Sequence, residues 1–288
     1  MERKSVLINP FVDRGFKILF GQESSKELLI ELINDLLEGE RHVEDLSYMD
    51  KEDPSETTDG RGVIFDLLCK DQDGTTFIVE LQNARQTYFY ERALYYLCRM
   101  IVSQGKKGES WEFELVPVYG IFLLNFRSGK TDKVRTDLVI ADRETGEQKS
   151  RNFREIFIEF PLFNKTEAEC ETPLDYWLYN LKHMEQLEHL SFKGQKALFA
   201  RLEELARIAN MNKKERAEYE AALKIYRDNE NVVTTARREG IQIGEKRGLE
   251  KGRAEGILIT ARLMKQNGIS FEQIKLCTGL SDEEIENL

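Results

Sequence analysis

The sequence predicts a mixed α/β fold over about its first 165 residues, followed by an all-helical remainder. Three observations carry this prediction. Asp73-Gly74 stands between two runs of β-branched and apolar residues, which is the signature of a hairpin. Residues 116–126 are almost continuously apolar, as in a strand buried on both faces. Beyond Thr172 the apolar residues recur at helical spacing instead: Leu174, Trp177, Leu178 and Leu181, then Leu198, Leu202 and Leu205.

The elements follow in order. Asn9-Pro10 reads as a helix start, with Asn capping and Pro where its missing N–H costs nothing. Asp13, Phe16, Lys17 and Phe20 then share one face of a short helix ending near Gly21. Residues 25–37 give a second helix with a stripe of Leu28, Leu29, Leu32, Ile33, Leu36 and Leu37. Residues 43–49 suit a strand, and the polar segment 51–60 a loop. After the hairpin comes a long helix over 88–104, then the apolar strand. Residues 138–141 and 153–160 form a further strand pair turned at Glu144–Glu147.

Bulk properties narrow the function classes. The chain has 288 residues, 41% hydrophobic and 33% charged, an ordinary soluble composition. No apolar run approaches the roughly 20 residues that span a bilayer, and residues 1–10 lack a secretory signal, so a cytoplasmic location is expected without membrane attachment. Cys69, Cys98, Cys170 and Cys277 are scattered, and His42, His183 and His189 show no ligand spacing. Zinc catalysis and a disulfide framework are therefore excluded as readings. The net charge of −10 sits wholly in the first 230 residues, because residues 231–288 hold nine basic and nine acidic side chains. Such an acidic bulk argues against coating nucleic acid with a broad basic face, and leaves open an enzyme whose acidic cluster recruits a divalent cation.

The chemistry-bearing segment is the hairpin itself. Period-two alternation puts Glu80 and Gln82 on one side of their strand. Asp66 lies seven residues before Asp73 and Glu80 six after Gly74, so the two acids are near neighbours across the ladder. Their flanks (Phe65, Leu67, Leu68, Ile78, Val79, Leu81) are apolar, where a carboxylate is costly unless it is paired or holds a metal. Two converging carboxylates supply the hard oxygens that Mg²⁺ or Mn²⁺ takes, and Gln82 could orient an attacking water. The alternative is that these strands border solvent and the acids merely decorate them.

Asp13-x-x-Phe16-Lys17-x-x-Phe20-Gly21, then Phe65-Asp66-Leu67 leading by a hairpin to Val79-Glu80-Leu81-Gln82, resembles the recombination-promoting nuclease and putative transposase group of the PD-(D/E)XK superfamily. Glu91-Arg92-Ala93-Leu94-Tyr95-Tyr96, Gln104-Gly105 and the glycine-rich tail extend the likeness nearly end to end. The resemblance implies a restriction-endonuclease-like central mixed sheet flanked by helices and metal-dependent DNA cleavage. It also implies metal-binding roles for Asp66 and Glu80, with Asp13 as a further metal or water contact. Gln82 stands where the wider superfamily has lysine. This subgroup commonly departs from the lysine in this way; glutamine lacks the charge that stabilises hydroxide or the crowded phosphate, so the resemblance implies either lower activity or a borrowed cation such as Lys17. A catalytically weak or inactive nuclease-fold protein that binds DNA or a protein partner is the competing expectation.

Tyr88, Arg92, Tyr95, Tyr96 and Arg99 gather on one side of the following helix. They suit phosphate contact and base stacking, Tyr88, Arg92, Tyr96 and Arg99 above all, or else packing against the sheet. Gly240, Gly244, Gly248, Gly252 and Gly256 recur every fourth residue. On a helix they leave a slowly winding bare stripe suited to homodimer contact; otherwise the segment is a charged linker. The last residues read as a small helical module. A DNA-reading helix-turn-helix there is disfavoured by Asp282-Glu283-Glu284 at the start of its second helix. The expected division is a nuclease-like core over 1–170, a helical extension over 171–230, the glycine segment 231–260 and the module 261–288.

Overall fold

The computed structural model describes residues 5–50, 52–53, 63–106 and 112–288. They divide into two compact units, Met1–Leu223 and Lys224–Leu288.

The first unit is built on a six-stranded sheet. Its strands are β1 (Leu46–Tyr48), β4 (Leu67–Asp71), β5 (Thr76–Gln82), β6 (Val118–Leu124), β7 (Arg135–Ala141) and β8 (Gln148–Glu159), ordered β1-β4-β5-β6-β8-β7. The β5–β6 and β6–β8 pairs are parallel and the outer pairs antiparallel, so the sheet is mixed, with its parallel strands at the centre. The central strands read as apolar runs because both of their faces are covered. β2 (Glu52–Asp53) and β3 (Val63–Ile64) form a separate antiparallel pair.

Local chemistry explains the hairpin. Asp71 Oδ1 accepts hydrogen bonds from the Asp73 and Thr75 amides at 2.9 and 2.8 Å, and Gly74 takes the left-handed φ of 85° that the turn requires. The register that follows pairs Leu67 with Val79 and Leu68 with Ile78. One further step brings Asp66 opposite Glu80.

The two faces carry different helices. α1 (Asp13–Phe20), α2 (Lys26–Leu36), α4 (Pro173–His183) and α5 (Leu198–Ala206) pack on one another. Phe16 and Phe20 of α1 and Leu181 of α4 meet Leu81 and Leu123 of the sheet around one apolar cavity. By alternation, Ile78, Glu80, Phe122 and Phe157 point to the other face, where α3 (Phe89–Val102) buries Phe89, Ala93, Leu97 and Met100 in a shared core.

The structure departs from the sequence expectation in several places. Asn9-Pro10 forms a turn rather than the helix start: Asn9 Oδ1 accepts from the Phe11 amide at 2.8 Å, and α1 opens four residues later. The Asx turn satisfies Asn locally, so its side chain does not cap. The expected strand over 43–49 shrinks to Leu46–Tyr48, and the expected loop contains β2, while residues 51 and 54–60 lie outside the described residues. The helical pattern after Thr172 is interrupted between His183 and Leu198 by short turns. The glycine segment is helical throughout, inside α6 (Lys213–Gln266).

In the second unit, Ala261 of α6, Ile274 of α7 (Phe271–Thr278) and Ile285 of α8 (Asp282–Glu286) make a small core. Ser270 and Ser281 cap the two short helices, so the acids that begin α8 are engaged in a capping box through Glu284.

Gly120, in the middle of β6, sets how closely α3 approaches. A Cβ there would lie 2.5 Å from the Phe122 ring and 2.7 Å from Leu97 Cδ1, both fully buried. Gly120→Ala should therefore destabilise the first unit by about 1–3 kcal/mol through overpacking, read as a lower urea midpoint at unchanged slope.

Candidate active site

The site grows from the end of the hairpin. Asp66 occupies a bend just before β4 and is half-buried, whereas Glu80, within β5, is only 3% exposed. Each carboxylate is held by the other strand's backbone. Glu80 Oε1 accepts from the Asp66 amide at 2.9 Å, and Asp66 Oδ2 accepts from the Leu81 amide at 2.9 Å. Gln82 Nε2 donates to Glu80 Oε2 at 3.3 Å. The two acids therefore share one small space with Gln82, as the alternation predicts.

That space raises the Glu80 pKa to about 7. Burial is the largest cause, followed by the nearby Asp66 charge; the Asp66 amide, the Arg92 charge and Gln82 oppose them. A second buried acid, Glu155 of β8, is pushed to about 7 by burial alone, and its Oε1 has no hydrogen-bond partner among the described residues. Glu159, further along the same strand, accepts from the Ser128 amide at 2.8 Å and from the Ser128 hydroxyl. Reading residues 153–160 as a strand did not single out these two acids. The signal was present in the alternation Phe153, Glu155, Phe157, Glu159, which turns both carboxyls to the face of the core phenylalanines.

Asp13 and Lys17 form their own ion pair at 2.6 Å on α1, with the Asp13 side chain 62% exposed. The Phe11 carbonyl, two residues before Asp13, accepts from Asn83 at 2.6 Å, so α1 opens beside the end of β5 that bears Gln82. No three His, Cys, Asp or Glu side chains among the described residues gather as a metal-holding group, and Asp13 does not join Asp66 and Glu80 in one. On α3, Arg92, Tyr96 and Arg99 are half-buried along the flank of the helix's core face, and Tyr88, just before it, is exposed. Arg92 Nη1 donates to Gln86 Oε1 at 2.6 Å, and the Tyr96 ring meets Phe65 edge-on at 5.4 Å.

Two carboxylates that offer hard oxygens side by side are the donor chemistry of a divalent cation such as Mg²⁺, which takes one or two protein carboxylates and keeps water for its other positions. A family model for PD-(D/E)XK nuclease family transposases matches residues 10–236, from before α1 into α6. The chain belongs to this family. The mixed six-stranded sheet flanked by helices is consistent with the restriction-endonuclease-like fold of PD-(D/E)XK proteins. Comparison with curated proteins and with solved structures returned no match. Membership points to nuclease-type function with DNA as substrate, and PD-(D/E)XK nucleases typically use divalent metals. No described helix is long and apolar enough to cross a membrane.

The raised pKa values have a measurable consequence. A carboxyl whose pKa is higher folded than unfolded keeps a proton that the unfolded chain has released. It therefore favours the fold at low pH and loses that advantage as pH rises through the window between the two values. For Glu80 and Glu155 that window runs from 4.5 to about 7. Metal-free protein should melt at lower temperature at pH ~8 than at pH ~5. Glu80→Gln should flatten part of that slope, since each pH unit between the unfolded and folded values is worth about 1.4 kcal/mol. A Glu80→Gln protein with the wild-type slope would refute the assignment.

Proposed function

We propose that this chain is a divalent-metal-dependent DNA endonuclease that hydrolyses phosphodiester bonds. The observation that carries the reading is the Asp66–Glu80 pair, two carboxylates locked together by each other's strand amides on the α3 face of an apolar sheet. Asp66 and Glu80 would hold Mg²⁺ or Mn²⁺, which lowers the pKa of bound water and neutralises phosphate charge. The chain's own contribution is orientation. The amides of Asp66 and Leu81 fix the carboxylates, and the Gln82 amide, anchored on Glu80, offers its oxygen to align a water. Tyr88 with Arg92, Tyr96 and Arg99 of α3 would contact the DNA, and Asp13 with Lys17 would contribute from α1. The five glycines of α6, which have no atom within 4 Å of a would-be Cβ, support self-association through that bare stripe. The place of Gln82, with its amide spent on Glu80, favours one second reading: a catalytically weak nuclease-fold protein that binds DNA or a partner.

A nicking assay on supercoiled DNA with Mg²⁺ or Mn²⁺ separates the two. Asp66→Asn and Glu80→Gln should each lower cleavage by about 100-fold or more, the loss expected when several kcal/mol of charge stabilisation disappears. Both variants should keep cooperative melting. Cleavage that persists in both removes these residues from the reaction, and binding without cleavage in the wild type selects the second reading.

A further inference from the structure

The nuclease reading leaves one chemical requirement unmet on the strand itself. Where the wider superfamily has a lysine, this chain has Gln82, which cannot supply positive charge to the attacking oxygen or the scissile phosphate. The sequence candidate for a borrowed cation, Lys17, is engaged by Asp13 at 2.6 Å on α1.

Arg92 is placed differently. It is the fourth residue of α3, on the helix that covers the Glu80 face of the sheet. Its guanidinium carbon lies over the Phe89 ring at 4.9 Å and over the Tyr96 ring at 5.5 Å, and Tyr96 in turn packs against Phe65, the neighbour of Asp66. Nη1 has a hydrogen-bond partner, Gln86 Oε1. Nε and Nη2 are both buried and have none among the described residues. A buried cation with two N–H groups unmatched is costly, and the cost is recovered when an anion accepts from both. Nε and Nη2 lie along one edge of the guanidinium, the fork that fits two oxygens of a phosphate.

We propose that Arg92, carried on α3 beside the Asp66–Glu80 pair, is the catalytic cation of this site, its Nε and Nη2 donating to oxygens of the scissile phosphate in place of the strand lysine. This rests on the nuclease reading above. In the hydrolysis it serves, the oxygen of water forms a bond to phosphorus as the ester P–O bond breaks. The proton lost by that water goes to solvent, and the leaving oxygen takes one up from solvent. Arg92 stays protonated throughout and moves no proton. Its fixed charge is matched to the negative charge that builds on the phosphate oxygens. The ring faces of Phe89 and Tyr96 hold the guanidinium in place before DNA arrives.

The test uses the full-length chain. Arg92→Met keeps an apolar stem over Phe89 and Tyr96 and removes the guanidinium; Arg92→Lys restores a charge without the fork. Single-turnover cleavage of a short duplex with Mg²⁺ should fall about 100-fold in Arg92→Met, the usual loss for one transition-state donor. Arg92→Lys should recover part of it, and so should guanidinium ion added to Arg92→Met at millimolar concentration. A readout independent of cleavage is metal-free DNA binding by fluorescence anisotropy, where Arg92→Met should reduce the salt slope by about one phosphate contact. A wild type that cleaves beside an Arg92→Met protein within threefold of its rate overturns the proposal and leaves the nuclease reading standing. So does a loss confined to Lys17→Gln. Should Arg92→Met fail to melt cooperatively, Arg92→Lys decides on its own: an unchanged salt slope and an unchanged cleavage rate together overturn the two-pronged contact. A wild type inert with both Mg²⁺ and Mn²⁺ overturns the nuclease reading, and this inference falls with it.

Discussion

A carboxylate buried in an apolar sheet face is the constraint on which the site depends. Glu80 is 3% exposed between Val79 and Leu81, and its nearest ionic neighbour is another acid. Desolvation and like charge both work against its ionised form, and only three weaker influences support it: one amide, one guanidinium and one carboxamide. The fold tolerates this because the hairpin brings each acid within reach of the other strand's amide, so the buried oxygens are matched even though the charge is not. Positive charge brought to the two carboxylates would offset the repulsion between them.

The helix above the site is held by the same sheet. Gly120 lets α3 come close enough for Leu97 to reach β6, and the aromatic packing of Phe89 on Phe122 and Phe157, at 5.6 and 6.3 Å, fixes the start of the helix. Arg92 follows one turn later, so its place relative to Glu80 is set by core packing rather than by a loop. Tyr90, stacked on Phe157 at 4.1 Å, belongs to the same arrangement and lies within the field of Glu155 and Glu159. The α3 face thus carries three buried acids, Glu80, Glu155 and Glu159, of which only Glu159 is matched by a hydroxyl and an amide from one residue, Ser128.

Much of this was legible in the sequence, and the parts that were not fail for definite reasons. Asp73-Gly74 located the hairpin and with it the meeting of Asp66 and Glu80, because turn chemistry and period-two alternation are both local. The apolar run of β6 correctly indicated a central strand, and Phe16 and Phe20 the inward face of α1. Asn9-Pro10 misled because the Asx turn and the helix cap use the same side-chain oxygen, and here that oxygen accepts from the Phe11 amide. The acids of β8 share the alternation of Phe153 and Phe157, but the burial of that face also depends on β8 lying between β6 and β7, and sheet order is not a local property.

Glutamine at position 82, where the name of the wider superfamily carries lysine, sets the electrostatics beside Glu80. A lysine two residues from Glu80 on the same side of β5 would stand next to its carboxylate and compensate its charge within the strand. Glutamine instead gives Glu80 a dipole at 3.3 Å and leaves the compensation to groups outside the strand. Arg92 is the positive side chain whose field reaches Glu80. The helix that carries it is held by Phe89, Ala93 and Leu97, and its Nε and Nη2 are buried without a hydrogen-bond partner among the described residues. On the proposed reading both tasks of a strand lysine, compensating the acid and meeting the phosphate, pass to the helix, while Gln82 contributes only its dipole.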